Sequence, residues 1–306
     1  MNVVLVGEGS AATQVFQALL KRKASIVAVL TSPRGQSSTA GGLWKLVEQS
    51  GLDPWPAKWV KDPQLAERLR ALRPDILFNV YSLYLICGEI LSVPALGSYN
   101  VHPGPLPKYA GLNSMCWAIY RGETQHGVTV HKMVPEVDAG PIVFQEMFDI
   151  EEQDTGRSLA TRCIKVGVSL ALRLLDAVQS PEGISLTPQD PSQREYFGKG
   201  PPQDGLVSWA EPARKVFNFV RACDFAPFRS PWGQPRARRN GQELLITKVS
   251  LTGKACSSVP GTVGQVDEAG AEVACRDEWL MVPRLTSGGE SRSAAELLKR
   301  GDRLQD

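Results

Sequence analysis

Asn100 and His102 stand two residues apart at the end of a short β-compatible run, Ser98 to Val101, and Pro103, Gly104, Pro105 and Pro107 follow at once. Strand side chains alternate between faces, so the two polar groups point into one space. An amide converging with an imidazole suits a reacting carbonyl, and an imidazole that titrates near neutrality suits acid–base work. The prolines stop the strand and stiffen the loop, which sets the pair at an edge of the sheet instead of inside its core. The other role open to His102 is to brace that loop. Asp138 lies in Glu136-Val137-Asp138-Ala139-Gly140-Pro141, a turn after a strand, where an aspartate also serves as an Asx-type cap. His126 and His131 flank a β-type run, one expected to face solvent and the other the core, and the β-rich stretch as a whole extends over Gly127 to Met133.

These residues need elements to hold them. Asn2 to Val6 reads as a buried strand, Ala11 to Lys21 as a helix with Val15, Leu19 and Leu20 on one face, and Ser25 to Leu30 as a second strand. Helices follow at Trp44 to Gln49 and Gln64 to Leu72, and Asp75 to Val80 is a continuous apolar run of parallel-sheet character. Such alternation predicts a Rossmann-like, doubly wound, mostly parallel sheet in an α/β protein, with ligands beyond the carboxyl ends of its strands. Pro141 to Ile150 adds a strand, and an amphipathic helix spans about Ser158 to Val178. A first domain over residues 1–183 is expected, then a linker over 184–205 rich in proline, glycine and polar residues. A second domain over 206–306 opens with a helix, Glu211 to Ala222. Short β-type runs follow at Glu243 to Val249, Gly261 to Val266, Glu272 to Ala274 and Glu278 to Val282. That spacing predicts a small C-terminal β-barrel of OB-like type.

Gly7, Gly9 and Ala12 spell Gly-x-Gly-x-x-Ala between strand and helix, the setting of a dinucleotide fingerprint. The second strand ends Val29-Leu30-Thr31-Ser32 without the acidic residue that would hold a ribose. The glycines are therefore expected to make a tight turn that lines a substrate cleft. With 42% hydrophobic and 22% charged residues in 306, the composition is that of a globular protein of two domains. A net charge of +2 from interspersed charges argues against a surface built mainly to track phosphates. The six cysteines form no Cys-x-x-Cys pair, so neither a metal clip nor a disulfide framework is expected, and a reducing cytoplasm fits. No signal-like or membrane-spanning run is found. Nothing in the sequence fixes an oligomeric state.

The segment Asn100-Val-His102-Pro-Gly-Pro-Leu106-Pro107-Lys-Tyr109-Ala-Gly111, followed by Gly127-Val128-Thr129-Val130-His131 and Val137-Asp138-Ala-Gly140, resembles the signature of the 10-formyltetrahydrofolate formyltransferases. Asp204-Gly-Leu-Val-Ser-Trp209, Pro212-Ala213 and Asn218-Phe-Val-Arg221-Ala222 look like the start of the C-terminal domain of the methionyl-tRNA type. The resemblance implies a transferase whose catalytic trio is Asn100, His102 and Asp138, acting through a tetrahedral oxyanion. Asn100 would donate its amide to that oxyanion, His102 would share it or relay a proton, and Asp138 would orient the imidazole or a bridging water. It implies 10-formyltetrahydrofolate as formyl donor, bound by Ser82, Leu83, Tyr84, Leu85, Ile86, Glu136 and Val137, with no metal. It places the acceptor near Gly9, Ser10, Pro103, Gly104, Tyr109, Gly111 and Asn113. Many relatives have serine and leucine where this chain has Gly104 and Pro105, so acceptor contacts there are expected to differ.

Four readings of function follow: a small-amine acceptor, such as an amino sugar, amino acid or hydroxylamine derivative; methionyl-tRNA as acceptor; water as acceptor, giving a hydrolase; or a binding module without chemistry. The intact trio argues against the last. Residues 201–306 hold 15 Lys plus Arg against 13 Asp plus Glu, and the loop from Ser32 to Gly42 carries one positive charge, Arg34. The tRNA type usually has a basic loop there, so the small amine is favoured over tRNA. Arg236, Arg238 and Arg239 beside Trp232 read as a solvated turn before a phosphate site.

Overall fold

The computed structural model describes residues 1–33 and 42–306. Arg34, on which the charge reading of the loop after the second strand rests, lies outside the described residues. Two compact units are present: unit 1 comprises Met1–Ser114, His126–Phe148 and Ala160–Phe197, and unit 2 comprises Met115–Gln125, Asp149–Leu159 and Gly198–Asp306.

Unit 1 begins with β1 (Asn2–Gly7), α1 (Gly9–Lys21), β2 (Ser25–Thr31), α2 (Gly42–Gln49) and β3 (Trp55–Pro56). It continues with α3 (Leu65–Ala71), β4 (Ile76–Val80), α4 (Gly88–Leu91), β5 (Gly97–His102) and β6 (Ala110–Gly111), after which α5 (Ser114–Arg121) belongs to unit 2 from Met115 onward. The last elements that enter unit 1 are β7 (Gln125–Lys132), β8 (Ile142–Asp149), α6 (Gly156–Gln179) and β9 (Tyr196–Phe197). Seven strands form one sheet in the order β3-β2-β1-β4-β5-β7-β8. Its first five strands run parallel, and β7 joins β5 antiparallel.

Alternation along β1 explains the double winding. Val3 and Leu5 pack with Val15, Phe16 and Leu19 of α1, Val47 of α2 and Leu170 and Leu174 of α6, whereas Val4 and Val6 pack with Leu65 and Leu69 of α3 and Ile90 of α4. A strand buried on both faces reads as an unbroken apolar run, which is why β1 and β4 stand out in the sequence. The sheet is Rossmann-like, and strand order reverses between β1 and β4, the position where such sheets open a ligand crevice at their carboxyl edge.

The Gly-rich turn after β1 has a steric cause. A Cβ on Gly7 would stand 2.9 Å from the Val80 carbonyl, and Gly9 has φ +65°, a backbone region that favours glycine. Glu8 between them accepts the Ser32 amide on Oε1 at 3.0 Å, tying the ends of β1 and β2 together.

Unit 2 contains α7 (Ala213–Ala222), β10 (Arg236–Arg239), β11 (Gln242–Ala255), β12 (Val263–Asp267), β13 (Gly270–Ala274), β14 (Glu278–Ser287), β15 (Glu290–Ser293) and α8 (Ala294–Leu297). Its antiparallel sheet runs β10-β11-β14-β13-β12, with β15 also on β14. β11 is much longer than its apolar stretch, because register shifts along its pairing with β14 let it bend without ending. Trp117 and Tyr120 of α5 pack edge-on against Trp232 and Phe219, with ring centroids 4.9 and 5.6 Å apart. The arginine cluster is not a solvated turn. Arg236 and Arg239 lie on β10 and pair with Glu243 of β11 and with Asp302, each at 3.2 Å, so carboxylates already occupy them.

Candidate active site

The carboxyl end of β5 carries Asn100 and His102, and the sheet surrounds them with polar partners at matching register. Asn79 of β4 lies opposite Asn100 in the parallel pairing, and His131 of β7 lies opposite it in the antiparallel one. Asn79 Nδ2 donates to Asn100 Oδ1 at 2.9 Å, which fixes the amide with its nitrogen turned the other way. His131 Nδ1 donates to the Lys132 carbonyl at 3.0 Å, leaving Nε2 to accept from Asn100 Nδ2 at 3.1 Å. The second amide proton of Asn100 goes to Asp138 Oδ1, at 3.3 Å.

Asp138 arrives from the turn after β7, with φ +53°, a left-handed conformation uncommon for a non-glycine residue. Its carboxylate reaches across the site instead of capping its own turn: Oδ2 accepts the Gly111 amide at 2.9 Å and lies 3.5 Å from His102 Nδ1. His102 donates from Nε2 to the Tyr109 carbonyl at 2.6 Å, so the neutral ring keeps its lone pair on Nδ1, facing the carboxylate. His102 and Asp138 are 3% and 9% exposed, so these groups interact in a medium that screens poorly. Burial pushes the His102 imidazole down, and the Asp138 charge opposes this without overcoming it. For Asp138 the largest single influence, burial, pushes upward. The positive charge that His102 and His131 carry when protonated, together with the Gly111 amide, outweighs it and holds the carboxyl well below the usual range.

The proline loop between β5 and β6 is held by Thr129, which donates to the Gly104 carbonyl at 2.7 Å and accepts the Leu106 amide at 3.1 Å. The Pro103 carbonyl accepts from Ser114 and, at 2.9 Å, from His126 Nε2. His126 and His131 are both buried, contrary to the expectation that one faces solvent. Alternation along a strand keeps residues five apart on opposite faces, but both faces of β7 are covered.

Of the other sequence-predicted residues, Tyr109 and Gly111 meet the cluster through backbone groups, while the Tyr109 ring is buried against Phe197. Pro103 and Gly104 lie in the loop beside it, and Asn113, φ +57°, precedes α5. Gly9 and Ser10 begin α1 beside the end of β4, and Ser82 to Ile86 follow β4 directly. These two loops border the point where strand order reverses. Leu83 and Leu85 are 79% and 65% exposed while Ile86 is buried, so an apolar surface stands open at the sheet's ligand edge. That surface, with peptide groups alongside, fits a flat heteroaromatic ring such as a pterin. Glu136 points outward and Val137 offers its carbonyl to Arg194. His131, read in the sequence only as part of a β-type run, completes the cluster together with Asn79, Gln189 and Arg194, which the sequence had not singled out. Asn79, a lone amide in an apolar strand, was the available signal.

A family model described as formyl transferase matches residues 1–175, and one described as formyl transferase, C-terminal domain, matches residues 200–303. A methionyl-tRNA formyltransferase of Magnetococcus marinus is 32% identical over 316 aligned positions, covering 99% of this chain and 98% of that one. Among solved structures, an N-formyltransferase from Helicobacter canadensis, in complex with folinic acid and dTDP-3-aminofucose, aligns with TM-score 0.67 at 18% identity, covering 92% of this chain and 98% of that one. HypX from Aquifex aeolicus aligns with TM-score 0.65 at 18% identity, covering 97% of this chain and 48% of that one. These two likenesses establish the shared fold. The chain belongs to the formyl transferase family and is a folate-dependent one-carbon group transferase.

Proposed function

We propose that this chain moves a formyl group from 10-formyltetrahydrofolate to the amine of a small molecule, an amino sugar, amino acid or hydroxylamine derivative. The observation that carries the chemistry is the buried cluster in which one carboxylate meets an amide and an imidazole at the carboxyl edge of the sheet. The folate, when bound, would supply the formyl carbon: attack by an amine forms the new C–N bond and places negative charge on the formyl oxygen and a surplus proton on the amine, and collapse of the adduct breaks the bond to the folate N10, which leaves with a proton. Asn100 presents the N–H that meets this charge. Its bond to Asp138, at 3.3 Å longer than its other two, is the one exchanged. Donors aimed at an oxyanion in a poorly screened site are worth about 2.7–4 kcal/mol each.

His102 Nδ1 is the proton-accepting atom. Its lone pair and that of Asp138 Oδ2 face each other, so a proton taken up there lies between them and the carboxylate stabilises the imidazolium. Ser82 to Ile86, Glu136 and Val137 serve the donor. Gly9, Ser10, Pro103, Gly104, Tyr109, Gly111 and Asn113 border the acceptor. Residues 1–183 act as the catalytic domain and 206–306 as an OB-like C-terminal domain, in a cytoplasmic enzyme that needs no metal.

The small amine is favoured over tRNA by charge: residues 201–306 carry 15 basic and 13 acidic side chains, and the 32–42 loop carries one cation. The rival acceptor, methionyl-tRNA, has its own support in the 32% identity that runs along 99% of the chain. Incubating the purified protein with 10-formyltetrahydrofolate and either charged initiator tRNA or a panel of amino sugars, amino acids and hydroxylamines, and following tetrahydrofolate release, separates them. A member of the amine panel is expected to accelerate release well above the rate in water alone. Efficient formylation of the tRNA would overturn the acceptor, and release independent of any acceptor would make the protein a hydrolase.

A further inference from the structure

Asp138 holds a left-handed backbone, which persists only where the surroundings fix it from several sides. The groups that fix it come from the segment after α6. Thr187 and Ile142 exchange backbone hydrogen bonds at 2.7 and 2.9 Å, fastening this segment just past the Asp138 turn. Gln189 Nε2 donates to the carbonyls of both Asp138, at 2.8 Å, and Gly140, at 2.6 Å. Arg194 Nη2 donates to the Val137 carbonyl at 2.6 Å. Two side chains thus take three of the four carbonyls from Val137 to Gly140.

The same segment grips the opposite wall. Glu195 donates to the Pro107 carbonyl at 3.3 Å, and β9 pairs with β6 so that the Ala110 and Leu112 amides reach the carbonyls of Glu195 and Phe197 at 3.0 and 2.9 Å. Between those positions lie the Tyr109 carbonyl that holds His102 and the Gly111 amide that holds Asp138. A stretch whose composition reads as a surface connection therefore spans from the loop of one catalytic side chain to the loop that braces the other.

We propose that Gln189 and Arg194 are positioning residues that set the Asp138 carboxylate against His102 by clamping the turn from Val137 to Gly140. The proposal rests on the function above for its activity readout, and it carries a second readout that does not. The charged or titratable groups facing His102 are Asp138, His131 and Arg194. Gln189 is uncharged, so Gln189→Leu removes the clamp without altering that set. When the turn relaxes, Asp138 withdraws from Nδ1, His102 loses the one charge that favours its protonation, and it titrates at lower pH.

The test uses the full chain, with only three histidines to resolve by NMR of imidazole carbons. In Gln189→Leu the His102 titration midpoint is expected to move down by at least half a pH unit. With the responsive amine, kcat should fall tenfold or more while the donor KM stays within twofold. Arg194→Lys, a milder change that keeps one donor for Val137, is expected to lose less kcat than Arg194→Leu, and it stands in if Gln189→Leu does not fold. A Gln189→Leu protein with lowered melting temperature but an unmoved His102 midpoint and wild-type kcat would overturn the proposal, since that is the mark of a merely structural brace. Equal kcat in Arg194→Lys and Arg194→Leu would likewise count against it. Absence of formyl transfer by the wild-type protein would instead sink the functional reading, and the titration would still decide the clamp.

Discussion

At the scale of single residues, the site is one carboxylate shared by several neighbours. Asp138 receives an amide proton from Asn100 and a backbone proton from Gly111, so its charge is stabilised from two directions, and it faces His102 Nδ1, where it favours uptake of a proton. The sign of the pH dependence follows. His102 is a base lowered in the folded state, so below its ordinary value near 6.5 the unfolded chain binds a proton that the folded chain refuses, and stability drops as pH falls through that window. Asp138 is an acid lowered in the folded state, and its contribution is present above about 4 and lost as pH falls further. Neutral His102 is the working form, so kcat/KM is expected to stay flat above pH 6.5, with its acid limb displaced below that value. Asp138→Asn removes the charge that favours the imidazolium. Its pH–rate profile should show a lower plateau and an acid limb moved to still lower pH, and a limb that moved up would contradict this electrostatic account.

At the scale of elements, the proline loop after β5 works because nothing fills the space beside His102. A Cβ on Gly104 would stand 2.8 Å from His102 Nε2 and 2.8 Å from the Tyr109 carbonyl, the two ends of one hydrogen bond. Gly104→Ala is therefore expected to cost about 1–3 kcal/mol in stability and to lower kcat more than it alters donor KM, as checked by thermal melts and steady-state rates. What the sequence disclosed at this scale was whatever has a period. The buried runs of β1 and β4, the alternation that aims Asn100 and His102 together and the long helix α6 were legible. The two-residue strands β3, β6 and β9 were not, since pairing, not pattern, creates them. The partnership of Asn79 and His131 with Asn100 was hidden for the same reason: it depends on register between strands that lie 21 and 31 residues away. Gln189 and Arg194 sit among prolines and polar residues, where composition predicts only a connection.

At the scale of the whole molecule, two family models tile the chain, and its 32% identity to a methionyl-tRNA formyltransferase runs nearly end to end. The family and the reaction class follow from that coverage, whereas the acceptor is a matter of local charge and loop shape, which family membership leaves free. The central claim is that formyl transfer runs through the buried cluster around Asn100. The direct measurement is the single-turnover rate of tetrahydrofolate release from bound 10-formyltetrahydrofolate, with the responsive acceptor saturating, in wild type and Asn100→Ala. Loss of one oxyanion donor should slow release by about 10²–10³-fold while donor affinity stays within a few-fold. A rate for Asn100→Ala within a few-fold of wild type would contradict the account.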